Sequence, residues 1–389
     1  MSLDSTISLT TLNAVKASFS VAGLSWEVGA LWLYCPAVGA TAATAEVTDT
    51  TLTLIITGGA SAGTTVLTFA DTDSDTMTEL VAKINAASGW KAGLLYHPSA
   101  ASTDLIATGA VSCLTAANQI TLIAEANYTL NDLINRASQK FESYCNRNLK
   151  SRNYTREVYY GSGYTELMLE QYPVTRVFRL SSGRANAFTI RNTTSDMDRA
   201  SVEITSTTMR LIVEGGASAD DTELTLATYT SIDLLITAIE AIGAGWSCST
   251  IATDTDTRNA DELLIRPAMY VDATARAYCE IPDEDITEYK LSRPTAYRNM
   301  AVLTKPSAFC ESFEYFVSYT AGYVTIPYDL EEACLEYVKF LFVQASQDTG
   351  MKSETKGDYK YERMSVADFV GGMPPGIATA LNFYKKYHI

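Results

Sequence analysis

The sequence predicts an α+β protein: a small helical core with a short β-sheet, carrying two homologous β-rich inserted domains. Two observations carry this. The stretch from Ala45 to Ala70 recurs from Val202 to Ala227 without a gap, at a constant offset of 157, and both copies contain GGASA. The copies are not in tandem; the segments around and between them show helical spacing of apolar residues. One host carrying two related insertions fits that arrangement. The helical core is expected over 1–22, 125–184 and 286–389. The first inserted domain is expected over 23–124 and the second over 185–285. A length of 389 residues suits two or three domains.

Residues 6–19 read as a short helix with Leu9, Leu12, Val15 and Phe19 on one face. In the first copy Leu52, Leu54 and Ile56 alternate with threonine, as a half-buried strand does. Gly58-Gly59, and Gly215-Gly216 in the second copy, punctuate a hairpin-like turn. A phosphate-cradling loop would need Lys-Ser/Thr after the glycines, and neither copy has it. A helical pattern follows in each copy (Leu80, Val81, Ile84; Leu235, Ile236, Ile239) and leads to Trp90 and Trp246. A tryptophan pair after a helix reads as core anchors, since a large ring buries much area.

The clearest helix spans 129–148, capped by Thr129 or Asn131, with Leu133, Ile134, Ala137, Phe141, Tyr144 and Cys145 on one face. Strands are expected at 157–160, 166–170, 174–180 and 313–323. A second strong helix is expected over 328–347, with Asp329, Glu331 and Glu332 in its first turn, where the helix dipole favours carboxylates. Residues 348–376 read as an extended arm. Pro374-Pro375 then opens a last helix, with Ile377, Leu381 and Tyr384 on one face and Lys385 and Lys386 near its end.

Composition narrows the function. The formal charge is −16, which argues against a general nucleic-acid binder, though not against a protein that encloses DNA without gripping it. Two histidines, His97 and His388, leave little room for His-centred metal sites or a triad. Seven cysteines without a CxxC read as buried free thiols in a reducing compartment. No apolar run reaches the ~18 residues of a membrane span. The N-terminus has no secretory pattern, so retention in the cytoplasm of the cell that makes the protein is expected.

The run LINRASQKFESYCNRNLKSRNYTREVYYGSGYTELMLEQYPVTRV, and with it VSYTAGYVTIPYDLEEACLEYVKFLF and SETKGDYKYER, resembles the core of tailed-bacteriophage head–tail connector proteins of the adaptor, gp6-like type. The match covers about 150 of the 389 residues, all in the proposed host. It leaves the two insertions unexplained. The resemblance implies a virion structural protein, located in the neck, and no enzyme. Its partners would be itself in a cyclic ring, usually of twelve subunits, the portal protein, and a downstream neck or tail-completion protein. Double-stranded DNA would pass through the lumen, with no membrane and no cofactor or metal involved. The helical core would then be a connector core, whose C-terminal arm and helix dock on the portal. Acidic residues facing a channel would keep DNA from sticking.

Candidate contact residues follow. Arg147, Lys150, Arg152 and Arg156 fall within ten positions that hold no acid, and with Lys385 and Lys386 they are candidates for contact with portal, neighbouring subunit or DNA. The plain alternative is a solvated loop whose cations help a helix C-terminus. Tyr159, Tyr160, Tyr323 and Tyr328 are candidate interface tyrosines, because tyrosine offers apolar area plus a hydroxyl. The competing reading is a β-module capsid decoration or tail/surface-binding structural protein. Carboxylate pairs such as Asp220-Asp221 do not make a glycosidase, which needs two carboxylates across a cleft. The acidic run 254–261 lacks the EF-hand glycine and terminal glutamate.

Overall fold

The computed structural model describes residues 2–251, 256–292, 301–345, 353–356, 359–362 and 370–386. The chain forms two compact units, one of residues 1–150 with 323–389, the other of residues 151–322.

The first unit opens with α1 (Leu12–Val21), capped by Thr11, whose hydroxyl accepts from the Ala14 N–H. The helix starts later than its apolar spacing suggests. The Asp4 carboxylate accepts from the backbone N–H and hydroxyl of Thr6 at 2.8 and 2.6 Å, a side-chain turn that competes with helix. The first module follows: β1 (Glu27–Tyr34), β2 (Ala42–Val47), β3 (Thr51–Thr57), β4 (Gly63–Thr68), α2 (Met77–Ala86), β5 (Lys91–Leu94), β6 (Thr108–Ser112) and β7 (Ile120–Glu125). Its strands form two antiparallel sheets, ordered β4-β3-β2-β6 and β5-β1-β7. The alternation in β3 puts Leu52, Leu54 and Ile56 into a core shared with Leu80 and Ile84 of α2 and with Trp90. A reciprocal capping box between Thr76 and Glu79 starts α2.

Next is α3 (Asn127–Cys145). It begins before the expected caps because Tyr96 supplies the capping group: its hydroxyl accepts from the Thr129 N–H at 3.0 Å and lies 2.7 Å from Thr129 Oγ1.

The second unit contains β8 (Arg152–Tyr160), β9 (Glu166–Leu169), β10 (Val174–Asn192), β11 (Arg199–Ile204), β12 (Thr208–Glu214), β13 (Asp220–Thr225), α4 (Ile232–Ile242), β14 (Trp246–Thr250), β15 (Arg266–Val271), β16 (Ala277–Asp285), β17 (Lys290–Ser292), β18 (Ala301–Thr304) and β19 (Glu314–Ala321). The 19-residue β10 is the hinge of this topology. Its first half pairs with β19, and its second half with β14 and β16. The Ser181-Ser182-Gly183 sequence looks like a strand end. The strand runs on because glycine tolerates φ +74 there, facing Asp283 of β16. Two further sheets are ordered β13-β12-β11-β15 and β17-β18-β9.

The two modules match element for element. Strands β2, β3 and β4 correspond to β11, β12 and β13, and α2 to α4. Likewise β5, β6 and β7 correspond to β14, β15 and β16. The correspondence reaches further upstream than the sequence repeat: β1 sits between β5 and β7 as the second half of β10 sits between β14 and β16. The threonine turns agree as well. Thr51 N–H donates to Thr48 Oγ1 at 3.0 Å, and Thr208 N–H to Thr205 Oγ1 at 2.9 Å.

The chain then returns to the first unit with α5 (Tyr328–Ala345), the hairpin β20 (Ser353–Lys356) and β21 (Tyr359–Glu362), and α6 (Pro375–Asn382). The expected end of α5 at 346–347, residues 348–352, 357–358 and 363–369 of the expected arm, and His388 lie outside the described residues.

The expected fold class is corrected by this arrangement. Among the described residues the chain is sheet-rich, 39% strand and 25% helix, with five antiparallel sheets besides the β20-β21 hairpin rather than a small helical core with a short sheet. Helices α1, α3, α5 and α6 belong to the unit that also holds both sheets of the first module. The strands expected to accompany them, β8, β9, β10 and β19, lie in the other unit. Those strands need no helix to cover them. Tyr159, Leu167, Leu169, Leu180, Leu303, Phe309, Tyr315 and Tyr319 close an aromatic-rich core of their own.

Candidate functional site

Within the first unit, α1, α3, α5 and α6 share one buried cluster. Phe141 of α3 stacks on Tyr337 of α5 with ring centroids 5.7 Å apart, and Phe19 of α1 meets Phe342 of α5 edge-on at 4.9 Å. The buried Ser138 hydroxyl accepts from the Leu9 N–H at 3.0 Å, so the segment before α1 is hydrogen-bonded to the middle of α3.

The end of α3 organises the site. Asn146 takes the left-handed conformation (φ +53) that closes a helix, and the chain turns so that the Arg147 side chain points inward. Arg147 is 4% exposed. It donates to the Tyr323 hydroxyl at 3.3 Å, with its guanidinium carbon 5.5 Å from that ring centroid. Tyr323 meets Tyr384 edge-on, at 5.8 Å. The Tyr384 hydroxyl donates to both carboxylate oxygens of Asp329, at 2.6 and 2.7 Å. Burial, then the Asp329 contact, pushes the Tyr384 hydroxyl above the usual tyrosine range. Arg147, Tyr323, Tyr384 and Asp329 thus join the ends of α3 and α6 to the start of α5.

Other expected contact residues surround this network. Lys150 Nζ donates to the Ser8 carbonyl at 3.0 Å. Lys385 Nζ lies 4.8 Å from the ring centroid of Tyr144, whose hydroxyl donates to Asn382 Oδ1 at 2.9 Å. The Lys386 N–H donates to the Cys145 carbonyl at 2.8 Å, which ties the chain after α6 to the end of α3. Tyr328 projects into solvent with 89% of its surface exposed.

In the second unit Arg152 opens β8 opposite Ala321 and is half-buried. Arg156, at φ +56, is buried. Its guanidinium donates to the Ser206 carbonyl at 2.8 Å and to the carbonyls of Asp261 and Leu263, so it fastens β8 to two turns of the second module. Burial lowers its pKa, partly offset by the Asp261 and Glu262 carboxylates. Tyr159 is buried and Tyr160 is exposed. The hydroxyls of Tyr159 and Tyr319 both donate to Glu157 Oε2, at 2.6 and 2.5 Å. They also accept from the Glu170 and Gln171 N–H groups.

The run of four cations is therefore not one surface. Arg147 and Lys150 fall in one unit, Arg152 and Arg156 in the other, and both Arg147 and Arg156 are used internally. Sequence reasoning missed Tyr384–Asp329 and Glu157–Tyr319, because both pairings join residues far apart in the chain and leave no local spacing signal. Tyr384 was visible only as an apolar-face residue of the last helix.

Among the described residues no group of three or more His, Cys, Asp or Glu could hold a metal ion. The acidic run at 254–261 lies partly outside them. No helix among the described residues is long and apolar enough to cross a membrane. Trp90 and Trp246 are both buried, 3% and 5% exposed, and neither offers a platform for a ligand. No protein-family model matches the chain, and no curated protein matches it.

Proposed function

We propose that the chain is a structural subunit of a phage neck, forming a ring below the portal that extends the DNA channel and joins head to tail. It performs no chemistry; its work is geometric. Its partners are further copies of itself, the portal protein, a downstream neck or tail-completion protein, and the DNA that passes through. Twelve subunits is the number the resemblance implies.

One observation supports the reading most. The two segments that carry the resemblance, 133–177 and 317–342, are more than a hundred residues apart, yet they meet in both units. In the first, α3 and α5 share a core and Arg147 grips Tyr323. In the second, β8 and β10 flank β19 on either side. Paired signatures that meet in space are what a common core requires; chance matches have no reason to do so. The net charge of −16 suits a conduit that must not hold DNA.

The test is the copy number of this protein in purified virus particles, by quantitative mass spectrometry against the major capsid protein. About a dozen copies per particle is the expected result for one closed ring. Hundreds of copies would indicate decoration or a tail tube instead. Absence from particles would overturn the proposal.

A further inference from the structure

The outer flanks of α3 and α5 carry opposite charge in a way the single chain does not use. On α3, Arg136 and Lys140 are both exposed one helical turn apart. Arg136 pairs with Asp132 at 2.7 Å, but Lys140 enters no ion pair among the described residues. Lys385 stands over Tyr144, one turn after Lys140 on α3, and likewise lacks an ion pair. On α5, Glu332 and Glu336 are exposed one turn apart, also without an ion pair among the described residues. Like charges at this spacing repel and weaken an isolated helix. The carboxylate pair on α5 is unfavourable alone, and Lys140 of α3 with Lys385, which follows α6, offers charge complementary to it. Each has an exposed aromatic near it in the chain: Phe383 precedes the cation Lys385, and Tyr328 opens α5; they are 76% and 89% exposed.

We infer that Lys140 and Lys385 of one copy dock on Glu332 and Glu336 of the next copy, in a head-to-tail contact between subunits. The inference rests on the ring reading above and names the surfaces that close the ring. A contact between two different patches of one chain is heterologous, and repetition closes it into a ring when the rotation allows. Exposed ion pairs contribute little affinity each. Here they select the partner and its register, while Phe383 and Tyr328 supply apolar area. Such a contact weakens as salt shortens the screening length.

The test uses the full chain in sedimentation velocity at low and high salt. The variants are K140E/K385E and E332K/E336K, with circular dichroism as the check on folding. Wild-type protein is expected to assemble, and each variant alone to remain monomeric. An equimolar mixture of the two is expected to assemble again, because each interface then pairs opposite charges, wild-type pairs alternating with reversed ones. The neutral variant K140Q/K385Q keeps the test decisive should a reversed one fail to fold. It is expected to need several-fold more protein to assemble. Variants that assemble like wild type would overturn the inference and leave the ring reading standing. Loss of incorporation into particles with self-association intact would also overturn it, and would turn these surfaces toward another neck component. A wild-type chain that is monomeric at every concentration and absent from particles would sink the ring reading itself.

Discussion

Arg156 shows how a cation that looks available for a partner becomes part of the interior. Its guanidinium holds three main-chain carbonyls, of Ser206, Asp261 and Leu263, and the last of these is buried. Arg156→Met is expected to cost about 2 kcal/mol, since the Leu263 carbonyl is buried and an acceptor left so without a donor costs roughly 1–3 kcal/mol, while those of Ser206 and Asp261 lie nearer solvent. Arg156→Lys should recover little, because a compact ammonium cannot span three acceptors as a planar fork does. Urea unfolding of the three proteins checks this; a Lys variant as stable as wild type would contradict it. Tyr159 and Tyr319 make a second expectation. Burial, with the Glu157 carboxylate contact, pushes both hydroxyls above the ordinary tyrosine range of about 10. Their contribution to stability is complete below that value and is lost as pH rises toward the folded-state pKa. An ultraviolet titration should show these two silent through pH 11, ionising only as the protein unfolds, and Y159F/Y319F should leave the early part of the curve unchanged. Neither role was legible in the sequence. Arg156 stood out by charge, but its acceptors are main-chain atoms some 50 and more than 100 residues away, and carbonyls carry no residue signature.

At the scale of elements, the repeated GGASA was the most legible feature, and the structure explains why it needs glycine. Gly59 and Gly216 have φ of +75 and +74. A Cβ on Gly59 would lie 2.7 Å from the Val38 carbonyl oxygen, and one on Gly216 would lie 2.6 Å from that of Asp196. In both modules the turn is packed against the connection that precedes the second strand. Gly59→Ala and Gly216→Ala are each expected to cost about 2 kcal/mol or more, from left-handed backbone plus collision. Gly63, with nothing within 4 Å of an added Cβ and no positive φ, is the internal control and should accept alanine without loss. Comparable losses at all three positions in chemical denaturation would refute the packing argument. The strands and helices around these turns were largely legible because alternation and helical spacing survive in one sequence. What was not legible is where elements end by tertiary means. Tyr96 caps α3 from the loop after β5, and β10 continues through a glycine because β16 is there to receive it.

At the scale of the whole molecule, the same architecture is built twice in two different settings, which locates the information for it inside each copy. The first module enters and leaves the chain at one place: the Ala126 N–H donates to the Trp26 carbonyl at 2.8 Å. The second does so along paired strands, Ser182 opposite Glu284 and Arg184 opposite Pro282. Each has its own closed apolar core. The ties from the first module to the helices are mostly polar: Lys16 to Glu125 at 2.6 Å, Asn127 to Asp104 at 2.8 Å, and Tyr96 to Thr129 at 2.7 Å; the apolar ones are at the junctions, where His97 stacks on Tyr128 at 3.8 Å and Trp26 packs on the helical cluster. Polar ties at a surface contribute little beside a buried apolar core. Residues 26–126 expressed alone are therefore expected to fold cooperatively, with a melting temperature below that of the same region in the full chain. Relief of the burial that raises the Asp104 pKa works in favour of the excised piece, and loss of Lys16, which holds Glu125 below the usual glutamate range, works against it. Dispersed amide resonances and a single sigmoidal melt are the readout. A collapsed, undispersed spectrum would mean that the helices are needed to complete the first module, and that its likeness to the second records a shared template rather than an independently folding unit.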